Sequence, residues 1–302
     1  LLRHLQVADA CIATLGIDVT SYVITYMSFH LIYEANLSTV SLDHLGFLLI
    51  NGLGILFVHP LVYVFEKIFG LVSDLSLLEL SDTNSKLLRT LSEQAPGTFH
   101  HSLQVANIAE AAANEIDANA LLVRVGALYH DIGKMNNPLY FSENQSTNYN
   151  PHHELGPFES SRLILNHVTE GIEIAKKNNL PDRVVDFIRT HHGTSPTRYF
   201  YHMAKKEDEN IDKALFCYPG PKPYSKETAI LMMADSVEAA SKSLQEPTAE
   251  GIANFVEKII EEQAEENQFA EADISLREIE LIKKVLVEKL INAHHLREVY
   301  PE

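Results

Sequence analysis

Residues 127–134 read Ala127-Leu128-Tyr129-His130-Asp131-Ile132-Gly133-Lys134. Leu121, Leu122, Val125 and Leu128 lead into this stretch at helical spacing, and Gly133 stops the run. An imidazole and a carboxylate adjacent at a helix end can point into one pocket as metal ligands. A lone pair of this kind means little, so its weight comes from His101 upstream and from His167, the doublet His191-His192 and Asp235 downstream. Each lies in or at the end of a helical pattern. Taken singly, His101 or His167 reads more readily as a hydrogen-bonded core or surface histidine. Asp235, however, is flanked by Met232, Met233, Ala234 and Val237, where an unpaired carboxylate is costly unless a metal or partner compensates it. The seven side chains together offer enough donors for two metals sharing one carboxylate.

Composition narrows the function. The 302 residues carry 41 acidic against 24 basic side chains, a formal charge of -17 that speaks against non-specific binding to a nucleic-acid backbone. A phosphate substrate must therefore be held locally. Cys11 and Cys217 lie far apart and offer no disulfide framework, which suits a reducing compartment. The chain begins at Leu1, as a piece of a longer protein would.

Residues 45–65 contain no Asp, Glu, Lys or Arg. As one helix they would run about 31 Å, the thickness of a bilayer's hydrocarbon. Residues 10–33 are also largely apolar but carry Asp18 and His30, a weaker spanning candidate. The expectation is a hairpin of two transmembrane helices within residues 1–70, with buried core helices as the alternative. The loop between them lacks Lys and Arg, whereas Arg3 precedes the pair and Lys67, Lys86 and Arg89 follow it, so both ends would be cytoplasmic. Residues 71–94 read as a connector. From residue 95 to 302 nearly everything has helical spacing, with Thr98 a candidate cap for a helix carrying His101 on its apolar face. Residues 136–151, rich in Asn, Ser, Tyr and Pro, form a loop beside the site. The fold class is all-α. Lys134, one turn past the His-Asp pair, is placed to neutralise charge on a phosphate or leaving oxygen, a catalytic role alongside Asp131.

The order His, His-Asp, His, His-His, Asp resembles the HD hydrolase superfamily of metal-dependent phosphohydrolases. The resemblance is closer to the seven-transmembrane HD family, whose cytoplasmic domain is a cyclic di-AMP phosphodiesterase. It is carried by 95–102 (Ala-Pro-Gly-Thr-Phe-His-His-Ser), 130–134, 191–194 (His-His-Gly-Thr), 218–223 (Tyr-Pro-Gly-Pro-Lys-Pro) and 234–239 (Ala-Asp-Ser-Val-Glu-Ala). One departure is Cys217, where a basic residue would precede Tyr218. The resemblance implies an HD-domain helical bundle over 95–302. It implies His101, His130, Asp131 and Asp235 on a first metal and His167, His191 and His192 on a second, with Asp131 bridging. The cations would be manganese or iron, and the product linear 5′-pApA. Gly193, Thr194 and Lys222 are then expected near substrate, with Tyr140, Tyr149 and Tyr224 as stacking candidates. The related HD-GYP hydrolases of cyclic di-GMP carry a Gly-Tyr-Pro turn after the doublet, where this chain has Gly193-Thr194-Ser195-Pro196. Other HD enzymes, acting on alarmones or nucleoside triphosphates, use the first quartet alone. A receptor whose HD domain only senses nucleotide is the reading from another class. Expected partners are the cyclic dinucleotide, membrane lipid at the N-terminal helices and a second copy of the chain, without nucleic acid. The expected location is a bacterial cytoplasmic membrane, with the HD domain in the cytoplasm.

Overall fold

The computed structural model describes residues 2–33, 35, 42–55, 57–145, 150–244 and 248–298, so Tyr149 lies outside the described residues. The chain divides into two compact units, Leu1–Ser73 and Asp74–Glu302.

The first unit holds α1 (Leu2–Tyr33), α2 (Leu42–Ile55) and α3 (Val58–Phe69), with α1 packed on α2. The single helix expected over 45–65 is instead two, broken by a turn at Phe57 whose N–H donates to the Gly54 carbonyl at 3.1 Å. The local chemistry explains the break. Gly52 and Gly54 weaken the last turns of α2, and Pro60 sits in the first turn of α3, where a missing N–H costs nothing. Among the described residues no helix is long and apolar enough to cross a membrane. Large apolar side chains nevertheless stand exposed in this unit, among them Ile32, Phe57 and Ile68.

The second unit is helical throughout: α4 (Asp74–Leu80), α5 (Lys86–Gln94), α6 (Pro96–Glu115), α7 (Ala120–Tyr129), α8 (Pro157–Lys177), α9 (Asp182–Thr190), α10 (Arg198–Glu207), α11 (Lys226–Ser241), α12 (Ala249–Glu265) and α13 (Leu276–Glu298). Short 3-10 turns occupy much of 132–154, and an isolated bridge pairs Pro196 with Cys217. The stretch 71–94 contributes α4 and α5 to this unit, with Leu77, Leu88 and Leu91 fully buried. α6 is the hub, packed by α5, α7, α11 and α13. Its buried face, Val105, Ala106, Ala109, Ala112 and Ala113, is built mostly of alanines, which let neighbouring backbones approach closely. α6 begins three residues earlier than a Thr98 cap implies. Pro96 occupies the first turn, its fixed φ already helical, and Thr98 is buried inside. Thr98 is used differently: its hydroxyl donates to Glu143 at 3.2 Å and its N–H to Asn144 at 3.1 Å, tying α6 to the segment beyond the His-Asp pair. α11 starts at a capping box between Ser225 and Thr228.

Candidate metal centre

Three helices and two helix ends converge on Asp131. α6 supplies His101, the residue after α7 is His130, α8 supplies His167, α9 ends at His191-His192, and α11 supplies Asp235. His101, His130, Asp131, His167, His191 and Asp235 are buried, while His192 is about a quarter exposed. The two oxygens of Asp131 face different neighbours. Oδ2 lies 3.2 Å from His130 Nε2 and 3.7 Å from His101 Nε2, and Asp235 Oδ1 completes that side at 2.9 Å from His101 and 3.4 Å from His130. Oδ1 lies 3.4 Å from His167 Nε2 and 3.5 Å from His191 Nε2. The doublet's second ring lies 4.0 Å from the first and 5.3 Å from His167 between centres.

The ring nitrogens pointing away from the centre fix the tautomers. His130, His167 and His191 each donate Nδ1–H to the carbonyl three residues back, on Ala127 at 2.7 Å, Ile164 at 2.6 Å and Ile188 at 2.9 Å. His101 instead donates Nδ1–H to the carboxylate of Glu238, one turn beyond Asp235 on α11. All four therefore turn an Nε2 inward, the arrangement metal-ligating histidines adopt.

The HD-domain profile matches residues 98–240. A crystal structure of the HD domain of Listeria monocytogenes phosphodiesterase PgpH in complex with cyclic di-AMP is 45% identical, with a TM-score of 0.69 over 70% of this chain and 99% of that one. The chain belongs to the HD-domain family. Two curated relatives are named cyclic-di-AMP phosphodiesterase PgpH. The Listeria monocytogenes protein is 43% identical over 274 residues, covering 90% of this chain and 38% of the relative. The Bacillus subtilis protein is 45% identical over 238 residues, covering 79% and 34%. This chain thus spans little more than a third of either relative's length.

The residues of this HD domain fit metal ions. His101, His130 and Asp131 form one group, and His167, His191 and His192 another, each with its donor atoms within 4.8 Å of one another. Donors ~2.1 Å from a common ion stand about 3.0–3.4 Å apart, near the spacings around Asp131. His130 Nε2 and Asp131 Oδ1 are buried without any hydrogen-bond partner, a costly arrangement that a cation would relieve. Imidazole and carboxylate donors suit divalent first-row metals.

Electrostatics differ around the centre. Burial works to lower His130, but the Asp131 and Asp235 carboxylates outweigh it and push the imidazole up to about 10. His101 moves up likewise, burial being overcome by Asp235 and Glu238. Burial pushes Asp131 upward, yet His130 and Lys134 hold it well below the usual carboxylate range. His191 and His192 are lowered, chiefly by burial. Lys134 Nζ bridges Asp131 at 2.6 Å and Glu143 at 2.9 Å over the ring of Phe141, and despite burial its pKa is raised, so it stays protonated.

The residues expected at substrate fare differently. His101, Lys134, Ser142, Glu143, His192, Asp235, Ala239 and Lys242 line a cleft over the centre, without Lys222 or Tyr224. Lys222 sits half-buried in the Pro-rich turn, and burial together with the Asp186 carboxylate pushes the Tyr224 hydroxyl's pKa up. Gly193 and Thr194 serve as scaffold. Gly193 has φ +51°, a Cβ there would lie 2.3 Å from Gln268 Oε1, and that oxygen accepts the Thr194 N–H at 3.1 Å. Gln268 thereby fixes the turn behind His192. Gly133 has a comparable task, since a Cβ on it would lie 1.9 Å from the carbonyl of His167. Sequence reasoning missed Glu143, Lys242, Gln268 and the role of Glu238. Tyr218, quoted only as part of a motif, stacks on His192 with centres 4.3 Å apart.

Proposed function

We propose that this chain hydrolyses cyclic di-AMP to linear 5′-pApA, using two divalent cations, manganese or iron, on His101, His130, Asp131 and Asp235 and on His167, His191 and His192. The observation that carries this reading is the divided carboxylate of Asp131, one oxygen toward each histidine group, in a chain 45% identical to an HD domain crystallised with cyclic di-AMP. Bound there, such cations supply Lewis acidity toward the phosphate and acidify an attacking water. Asp131 orients its imidazole neighbours and offers an oxygen to each half. Lys134, held protonated between Asp131 and Glu143, stabilises charge growing on the phosphate or on the 3′ oxygen as its bond to phosphorus breaks. Water contributes hydroxyl to phosphorus and, in net balance, a proton to the 3′ oxygen, leaving a 5′-phosphate at one end.

The same reading divides the chain into a membrane region over 1–70, a connector over 71–94 and the HD domain over 95–302, tethered to a bacterial cytoplasmic membrane and facing the cytoplasm. In its support, residues 45–65 are uncharged and Ile17, Ile32, Phe57 and Ile68 of the first unit are each at least 66% exposed. The test is turnover of cyclic di-AMP beside cyclic di-GMP by the manganese- or iron-loaded chain, with Asp131→Ala as blank. Selective release of pApA supports the reading. Binding without cleavage favours a receptor, and equal cleavage of both dinucleotides removes the substrate assignment.

A further inference from the structure

Four of the five histidines at the centre are held through the ring nitrogen that points away from it, by the Ala127, Ile164 and Ile188 carbonyls and by Glu238. His192 is the exception. Neither of its ring nitrogens has a hydrogen-bond partner among the described residues, and Asp235 Oδ2, 4.0 Å from Nδ1, lies beyond hydrogen-bond reach. It is also the most exposed of the five. A ligand free to rotate must be ordered when an ion arrives, and that loss of rotamer freedom weakens binding.

An aromatic neighbour takes the place of the missing hydrogen bond. Tyr218 lies against the His192 ring, centres 4.3 Å apart and planes inclined by 30°, and it meets the His167 ring edge-on at 5.9 Å. Such pairs contribute beyond the area they bury. A backbone clasp builds the contact. Gly193 N–H donates to the Thr190 carbonyl at 2.8 Å and Ser195 N–H to the His192 carbonyl at 3.0 Å, closing a turn directly after the doublet. The Ser195 carbonyl then accepts the Tyr218 N–H at 3.0 Å, and Thr197 N–H donates to the Phe216 carbonyl at 2.8 Å, so that 195–197 and 216–218 run antiparallel. The segment that carries His192 thereby fixes the backbone whose side chain returns over it. Tyr218 is buried, and its hydroxyl makes no hydrogen bond among the described residues, which leaves the ring face as the working part.

We propose, resting on the reading that His167, His191 and His192 hold one of two ions, that Tyr218 is a positioning residue for that ion. Its ring keeps His192 turned toward His167 and His191 and so sets the affinity of this half. The ligands of the other half, His101 and His130, make no ring contact with Tyr218 among the described residues, so its reach ends at the shared Asp131.

Stepwise manganese titration of the whole chain, read by calorimetry, tests this, with the step that belongs to the second half identified by its loss in His192→Gln. Tyr218→Leu keeps an apolar side chain but removes the ring, and should weaken that step about tenfold while the other stays within about twofold. Tyr218→Phe keeps the face and should bind both ions as the unmodified chain does. An unaltered second step in Tyr218→Leu, equal weakening of both steps, or a Tyr218→Phe as weak as Tyr218→Leu would overturn the assignment while the two-ion reading stands. A single ion on the unmodified chain would overturn both. The unmodified chain also answers if Tyr218→Leu does not fold: with a chelator present, the His192 ring protons in a histidine-labelled sample should be shifted upfield by the Tyr218 ring, and unshifted resonances would overturn the proposal.

Discussion

On one side of Asp131, His101 and His130 sit among carboxylates and are drawn toward the protonated form; on the other, burial holds His191 and His192 toward neutrality. A cation entering the first half competes with protons on His101 and His130, whereas His191 and His192 in the second already favour the neutral, ligating form. Orientation differs too. His167 and His191 take their bearing from carbonyls of their own helices, but His101 takes its bearing from Glu238 on α11, the helix that also carries Asp235. His130, also in the first half, is set by its own helix through the Ala127 carbonyl, so it is His101 alone of these four whose orientation depends on tertiary packing.

The harshest way to break this comparison is Asp131→Ala, which removes the oxygen each half uses. Both ions should leave and turnover of cyclic di-AMP should fall at least ~10³-fold, read by metal content and by assay. Two ions per chain in that variant would end the idea of a shared carboxylate. Glu238→Gln sharpens the distinction instead: affinity should drop about 10–100-fold in the first half and stay unchanged in the second, resolved by stepwise metal titration. Equal weakening of both would show that the halves are one unit.

Acidity offers a third, smaller effect. With a chelator present, His130, raised from 6.5 to about 10, stabilises fully below pH 6.5, and its contribution is lost as pH climbs through 10. His191 and His192, lowered from 6.5, bind fewer protons folded than unfolded, so their contribution is present above pH 6.5 and lost on acidification. Thermal melts should therefore weaken in both directions from near that pH. His130→Ala should flatten the alkaline limb and His192→Ala the acid one; a His192→Ala melt that keeps the full acid limb would contradict the assignment. Least of all, Gly193→Ala should cost about 1–3 kcal/mol in chemical denaturation, because an L side chain is strained at φ +51° and its Cβ meets Gln268.

What the sequence disclosed follows the range of its signals. Periodicity and the break at Gly133 located His130 and Asp131 at a helix end, and helical spacing put His101 on the buried face of α6. Contacts between distant segments left no such trace. Gln268 meets Thr194 across 74 positions, and Glu238 meets His101 across 137, so neither role could be read from spacing. Tyr224 has a stacking ring by composition, yet it does not line the cleft over the centre. In the first unit, the absence of charge over 45–65 favoured one long helix over the interruptions at Gly52, Gly54 and Pro60, which divide it into α2 and α3.

His130 and His191 are each the first residue past a helix, so α7 and α9 both aim their carboxyl ends at the centre. Those ends carry partial negative charge, adding to the carboxylates already gathered there, in a chain of net charge -17. Such a field draws cations in and turns phosphates away. If the proposed function holds, an anionic dinucleotide would meet a cleft whose carboxylates repel it until cations held by the two histidine groups offset their charge, so its affinity should depend on metal.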